Sequence, residues 1–248
     1  MMYVTGDTHA DWRKLNKESF PEQEDMTRND YLLILGDFGI WDNSKREKWW
    51  LDWMEEKNFT ILFVDGNHEN FDILNSLPVS IWHGGNVHFV RKNIIHLMRG
   101  QVFDIDNKKF FTFGGARSHD ITDGILNRND INFKEKKKKL DRKGGLYRIN
   151  HETWWKEEMP SANEMREGNS TLDLNDRKVN YIITHECPGE LYPLLDFSDE
   201  YKTDELTDYF DNISQTTNFD LWLFGHHHID KKVTQKFICL YDQIVRLY

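Results

Sequence analysis

The sequence predicts an α/β fold, and three observations carry the reading. Strand-length apolar runs alternate with polar, helix-like stretches in the first half, strand-like runs then follow one another without helices, and several runs stop abruptly at glycine and polar residues. "MYVT" is followed by "ADWRKLNKESF", "YLLILG" by "SKREKWWLDWMEEKN", and "TILFVDG" by "ENFDILNSL". That alternation implies βαβ units and a parallel sheet. In the second expected helix Trp49, Trp50, Trp53 and Met54 recur at helical spacing behind Ser44, a candidate N-cap, so the stripe is assigned to the core. After Val87, "VHFV", "IIHLM", "QVFDI" and "KFFTFGG" read as strands of a second, largely antiparallel sheet, with "DNKK" as a hairpin turn.

Residues 116–178 are polar and charged, with little apolar periodicity apart from "ETWWKEEM", and are read as an insertion or cap because they are too long for a simple loop. Their basic run, Phe133 to Lys143, is assigned to a solvated helix face in preference to a polyanion site. Strands resume with "VNYIIT", "FDLWLF", "KKVTQ", "KFICLY" and "QIVRLY". With 248 residues, 38% of them hydrophobic, the chain is expected to form one domain over 1–248.

Charge and cysteine content narrow the function. A formal net charge of -10 disfavours non-specific attraction to nucleic acid or anionic lipid. Two cysteines, Cys187 and Cys239, cannot supply a disulfide framework, and "MMYVTGD" has neither a basic region nor a long apolar one, so a cytoplasmic chain is expected. No apolar run approaches the ~20 residues that span a bilayer.

The chemistry sits where the strands end. "YVTGDTH" ends in Asp7 and His9, "LLILGD" in Asp37, "ILFVDGNHE" in Asn67 and His68, "YIITHE" in His185, and "LWLFGHHH" in His226, His227 and His228. In an open α/β sheet the carboxyl ends of strands form the edge where sites are built, so these residues can converge. Period two would put Asp7 with His9, and His226 with His228, on one side of an extended backbone, each pair able to grip one ion. Gly6, Gly36, Gly66 and Gly225 stand where the chain must turn sharply or approach a ligand. Imidazole, carboxylate and amide donors suit first-row ions such as Mn, Fe, Zn or Ni, and there are enough for two ions.

In this order, Asp7-x-His9, Gly36-Asp37, Gly66-Asn67-His68-Glu69, His185 and Gly225-His226-x-His228, the motifs resemble those of the calcineurin-like metallophosphoesterases. The resemblance runs from the first strand nearly to the last and leaves 116–178 outside. It implies an α/β four-layer sandwich, two mixed β-sheets stacked face to face and flanked by helices. It also implies two divalent ions, manganese being favoured over Fe, Zn or Ni. Asp7, His9 and His228 would hold one ion, Asn67, His185 and His226 the other, and Asp37 would bridge them with its two oxygens. A bridging hydroxide is the implied nucleophile, and His68, not a ligand, would donate to the leaving oxygen of a phosphorylated substrate, whether small molecule or phosphoprotein.

One position departs from the pattern. The family usually has a second aspartate three residues after the first, supporting the histidine, and here that position is Ile40. Without it His68 should have a lower pKa and donate less well unless Asp42, Glu69 or Asp72 takes over, Asp42 being the favoured substitute. "GDFGIWD" also lacks the arginine by which the protein Ser/Thr phosphatase branch clasps phosphate, and Arg117 in "FGGARSHDITDG" is the candidate replacement, with His119 nearby. His227 and Cys187 are assigned to supporting positions, and Trp154 and Trp155 either to anchoring the insertion or to stacking a base. The expectation is a phosphomonoesterase. One alternative is a phosphodiesterase or nuclease, with Lys136 to Lys139 and the tryptophans lining the cleft; another is a metal-binding scaffold without turnover, suggested by Ile40.

Overall fold

The computed structural model describes residues 1–39, 42–195 and 202–248, so Ile40 lies outside the described residues. The first sheet opens with β1 (Met2–Thr5) and β2 (Tyr31–Ile34), after which helix α1 (Lys45–Glu55) leads to β3 (Thr60–Phe63). A single turn, α2 (Phe71–Leu74), precedes β4 (Val79–Trp82), β5 (Gly85–Arg91) and β6 (Ile94–Leu97). The second sheet begins with the hairpin β7 (Gln101–Ile105) and β8 (Lys108–Phe113). Between the sheets' remaining strands the chain forms β9 (Ile125–Leu126), α3 (Phe133–Lys143), β10 (Arg148–Ile149) and α4 (Ala162–Leu174). Then come β11 (Tyr181–Thr184), α5 (Glu205–Thr216), β12 (Leu221–Phe224), β13 (Lys231–Lys232), β14 (Phe237–Cys239) and β15 (Val245–Arg246).

The seven-stranded sheet has the order β15-β1-β2-β3-β6-β5-β4, and the six-stranded sheet β13-β14-β12-β11-β8-β7. Alternation along single strands shows how they stack. Leu32 and Ile34 of β2 join a core with Trp12, Leu51 and Met54, beneath α1. Leu33, one residue over, joins Val4, Leu62, Phe103, Ile183 and Leu223 in the core between the sheets. The far face of the second sheet packs Ile182, Trp222 and Phe224 on Leu172 of α4 and Phe210 of α5. Helices, sheet, sheet, helices: the two mixed sheets are flanked as expected, with Val79 and Ile81 of edge strand β4 left exposed.

Four local expectations are corrected. β5 and β6 belong to the first sheet, where β6 pairs with β3. The second sheet is mainly parallel, because the segments carrying α4 and α5 cross over and return β11 and β12 in the direction of β8. "ADWRKLNKESF" makes only a 3-10 turn at Trp12–Leu15; the Asn16 side chain takes the N–H groups of Glu18 and Ser19 and stops it. In α1, capped by Ser44, Met54 is buried but Trp49 is 58% exposed. The "DNKK" hairpin does form, with Asp106 and Asn107 both at positive φ as a tight two-residue turn requires.

Within 116–178 a small core of Leu126, Phe133, Leu140 and Ile149 joins α3 to the two-stranded β9–β10 ribbon. Trp155 fastens this segment to the body: it is buried in the first core and its Nε1 donates to Asp72 at 2.8 Å.

Candidate metal centre

β1, β2 and β3 run parallel, as do β11 and β12, so five carboxyl ends open onto one cleft. The backbone beyond those ends is not extended. His9, Asp37, His226 and His228 have φ of 46°, 46°, 65° and 50°, in the left-handed region that non-glycine residues seldom adopt. The expectation that pleat aligns Asp7 with His9 and His226 with His228 is therefore corrected: β1 stops at Thr5, β12 stops at Phe224, and turns aim the rings. His226 and His228 diverge into different clusters, and do not grip one ion together. Gly66 allows the crossing of loops here, since a Cβ on it would collide with the Asp37 carboxylate.

Asp7, His9 and His228 form the outer cluster. The Nε2 atoms of His9 and His228 are 2.9 Å apart, and Asp7 Oδ2 lies 3.5 Å from that of His9 and 3.2 Å from that of His228. Asp7 Oδ1 accepts the His226 backbone N–H at 3.0 Å, while Oδ2, buried, has no hydrogen-bond partner. The His228 ring stacks on Tyr241, 4.5 Å between centroids. Lys14 braces the loop, donating to the backbone carbonyls of Gly6, Asp7 and Tyr241.

Asp37, Asn67 and His185 form the inner one. His185 Nδ1–H donates to Leu35 O at 2.7 Å, turning Nε2 toward Asn67 Oδ1 at 3.2 Å and Asp37 Oδ2 at 3.5 Å. Asn67 is oriented by its Nδ2, which donates to Ser118 Oγ at 3.3 Å, and Ser118 in turn donates to Glu158 at 2.6 Å. His226 stands beside His185, ring centroids 4.9 Å apart, with Nε2 3.1 Å from His119 Nε2 and 3.5 Å from Glu186 Oε2.

Asp37 stands between the clusters. Oδ1 accepts the His68 backbone N–H at 2.8 Å, which leaves Oδ2 between His185 Nε2 and His9 Nδ1, at 3.5 and 3.6 Å. Two features fit divalent ions: the buried Asp7 Oδ2 without a hydrogen-bond partner, and imidazole nitrogens of His9 and His228 that converge with it within reach of one ion. The field agrees. Burial works against ionisation, yet the His185 charge and the surrounding imidazoles hold Asp7 and Asp37 well below the usual carboxylate range. Against the cost of its own burial, the same carboxylates raise His185 to about 10.

His68 is lowered, chiefly by burial; Asp37 opposes this, Arg148 and His9 add to it, and Asp120 opposes it. The candidates for supporting it have other partners. Asp42 accepts Ser44 N–H at 2.9 Å at the start of α1. Glu69, buried and raised to about 7 by burial and by Asp37, accepts from Phe38, Gly39 and Gly66 N–H and so braces the Asp37 and Asn67 loops against each other. Asp72 binds Trp155 and His151. Arg117 is paired with Asp204 at 2.9 Å and Glu205 at 3.1 Å at the head of α5. His227 is buried, its Nε2 2.9 Å from Glu186 Oε1 and 3.4 Å from Cys187 Sγ, a thiol pushed up by burial and by Glu186. Trp154 lines a separate cavity of about 720 Å³ with Lys156 and Glu158, and Lys136 to Lys139 lie on α3.

Sequence reasoning missed Glu186, which contacts both His226 and His227. Burial opposes the charge of Glu186, but His227 and His226 hold it well below the usual range, and it also receives Tyr192 Oη–H at 3.1 Å. Its place beside His185 in "THEC" was the available signal.

Among known proteins, a model of the calcineurin-like phosphoesterase family matches residues 2–230. A search of curated proteins finds no match. Among solved structures the chain is similar to the phosphopantetheinyl hydrolase PptH from Mycobacterium tuberculosis, with 14% identity and a TM-score of 0.42, over 97% of this chain and 89% of that one.

Proposed function

Since the chain belongs to the calcineurin-like phosphoesterase family, we propose that it is a dinuclear metal-dependent phosphoesterase that hydrolyses a phosphomonoester. The observation that carries the reading is Asp37: one oxygen lies between two donor clusters while the other fixes the backbone of His68. In this reading Asp7, His9 and His228 hold one ion and Asn67, His185 and His226 the other; manganese, which suits the oxygen donors, is the favoured ion, with Fe, Zn or Ni as the alternatives that suit the imidazoles. Bound divalent ions would activate water and neutralise charge on the phosphate oxygens. His68, half-buried at the cleft, offers its ring to the leaving oxygen. The substrate is a phosphorylated small molecule or a phosphoprotein, and the buried free thiols suit a cytoplasmic protein.

Hydrolysis of p-nitrophenyl phosphate and bis-p-nitrophenyl phosphate, side by side with Mn²⁺ and then with chelator, tests this. Chelator-sensitive turnover faster on the monoester is expected. Silence on both from protein shown to carry two ions would overturn the enzyme reading, and a faster diester rate would overturn the choice of substrate class.

A further inference from the structure

The insertion touches the inner donor cluster through Ser118 and Glu158. Glu158 ends the 3-10 turn Lys156–Glu158 and is 1% exposed. Its Oε1 accepts the Ser118 backbone N–H at 3.0 Å and its Oε2 the Ser118 hydroxyl at 2.6 Å, while Ser118 Oγ accepts Asn67 Nδ2–H at 3.3 Å. The turn is tied to the same loop a second time. Arg99 Nη2 donates to the carbonyls of Glu157 and Glu158 at 2.8 and 3.4 Å, and Arg99 Nε donates to Asp65 Oδ2 at 2.8 Å, two residues before Asn67.

The roles along this chain of contacts are not interchangeable. An ionised carboxylate only accepts, a hydroxyl has one proton to give, and an amide has a donor end and an acceptor end. Both Glu158 oxygens take their protons from Ser118, so the hydroxyl proton is committed and Oγ can only accept from Asn67. Asn67 must then give Nδ2 to Ser118 and turn Oδ1 toward His185, whose Nε2 is 3.2 Å away. Oδ1 has lone pairs for a metal ion, and the amide nitrogen has none to offer.

We propose that Glu158 is a positioning residue which, through the polarity of the Ser118 hydroxyl, sets the atom of Asn67 that faces the inner ion. The segment 116–178, which carries none of the strand-end motifs, thereby takes part in metal binding. The assignment rests on the two-ion reading of the site.

The test measures Mn²⁺ binding to the full-length protein by calorimetry and by competition with a chromogenic chelator, alongside melting temperature. It is run at pH 8, because burial raises Glu158 to about 7 against the Ser118 hydrogen bonds. In Glu158→Gln the side-chain oxygen must still accept the Ser118 N–H, so the new amide donates to Oγ and the hydroxyl proton turns to Asn67. Asn67 then offers Oδ1 to Ser118 and Nδ2 to the ion. Inner-ion affinity should fall about tenfold or more, with the outer ion and melting temperature close to the wild type. Ser118→Ala severs the chain, leaves Asn67 free to turn Oδ1 to the ion, and should cost less. The double variant Glu158→Gln/Ser118→Ala should therefore bind the inner ion better than Glu158→Gln alone, a rescue that a general loosening of the turn would not give. Wild-type inner affinity in Glu158→Gln, or a double variant no better than that single one, overturns the inference. The two readings separate because turnover is not needed: wild-type protein that takes up a single ion overturns the two-ion site and the inference with it, whereas two ions held alike in every variant overturn the inference alone.

Discussion

The outer and inner donor clusters use the same side-chain chemistry at different depths. His9 and His228 of the outer cluster are 26% and 49% exposed, whereas His185 and His226 are 0% and 6% exposed. Around the inner cluster the supporting contacts are dense: Leu35 O fixes His185, Ser118 fixes Asn67, and Glu186 stands behind His226. In the outer cluster, Tyr241 lies against the His228 ring and His68 stands beside the His9 ring. Depth, more than ligand type, should therefore decide which ion exchanges, since outer partners and dryness govern how tightly a given ligand set holds.

Asp37 is where the comparison is easiest to break. Asp37→Ala should strip ions from both positions and reduce turnover about 10³-fold or more, the loss of several kcal/mol of charge stabilisation; metal analysis with steady-state kinetics would show it. Single ligands should separate the positions. His228→Ala is expected to leave one ion bound through dialysis, and His185→Ala to lose the slow-exchanging one, read as metal content against dialysis time; equal losses would show that depth does not matter.

A milder substitution probes support alone. Glu186→Gln removes the charge behind His226 and should weaken the inner ion by about 10- to 100-fold while the outer affinity stays put, measured by competition with a chromogenic chelator. The smallest effect is a proton count. His185 is raised to about 10, so at pH 7 it carries a proton that an incoming ion must displace. Inner-site affinity should then rise with pH, about tenfold per unit below that pKa, with about one proton released per ion on a pH-stat.

The strand ends were legible because buried strands write continuous apolar runs, and Asp7, Asp37, Asn67, His185 and His226 interrupt them at once. What was not legible was how the chain turns after each strand: pleat paired His226 with His228, and left-handed turns separate them. The sheet membership of β5 and β6 escaped for a related reason, since hairpin-like runs look alike whichever sheet their edge joins. Within the insertion, the ion pair of Arg148 with Asp120 was hidden more deeply. Arg148 sits in a two-residue strand without measurable periodicity, and Asp120 is 28 residues away. Ion pairs that span an insertion leave no local pattern in the sequence.

The left-handed backbone at His9, Asp37, His226 and His228 bears on which replacements these positions can survive. Histidine, aspartate and asparagine are both metal donors and the side-chain-bearing residues that most readily enter that conformation. Glycine would relax the turn and forfeit the donor; glutamate or cysteine would keep a donor and strain the turn. Handedness and coordination thus narrow the usable residues from two directions, and mutational drift at these positions is confined to a smaller alphabet than either constraint would impose alone.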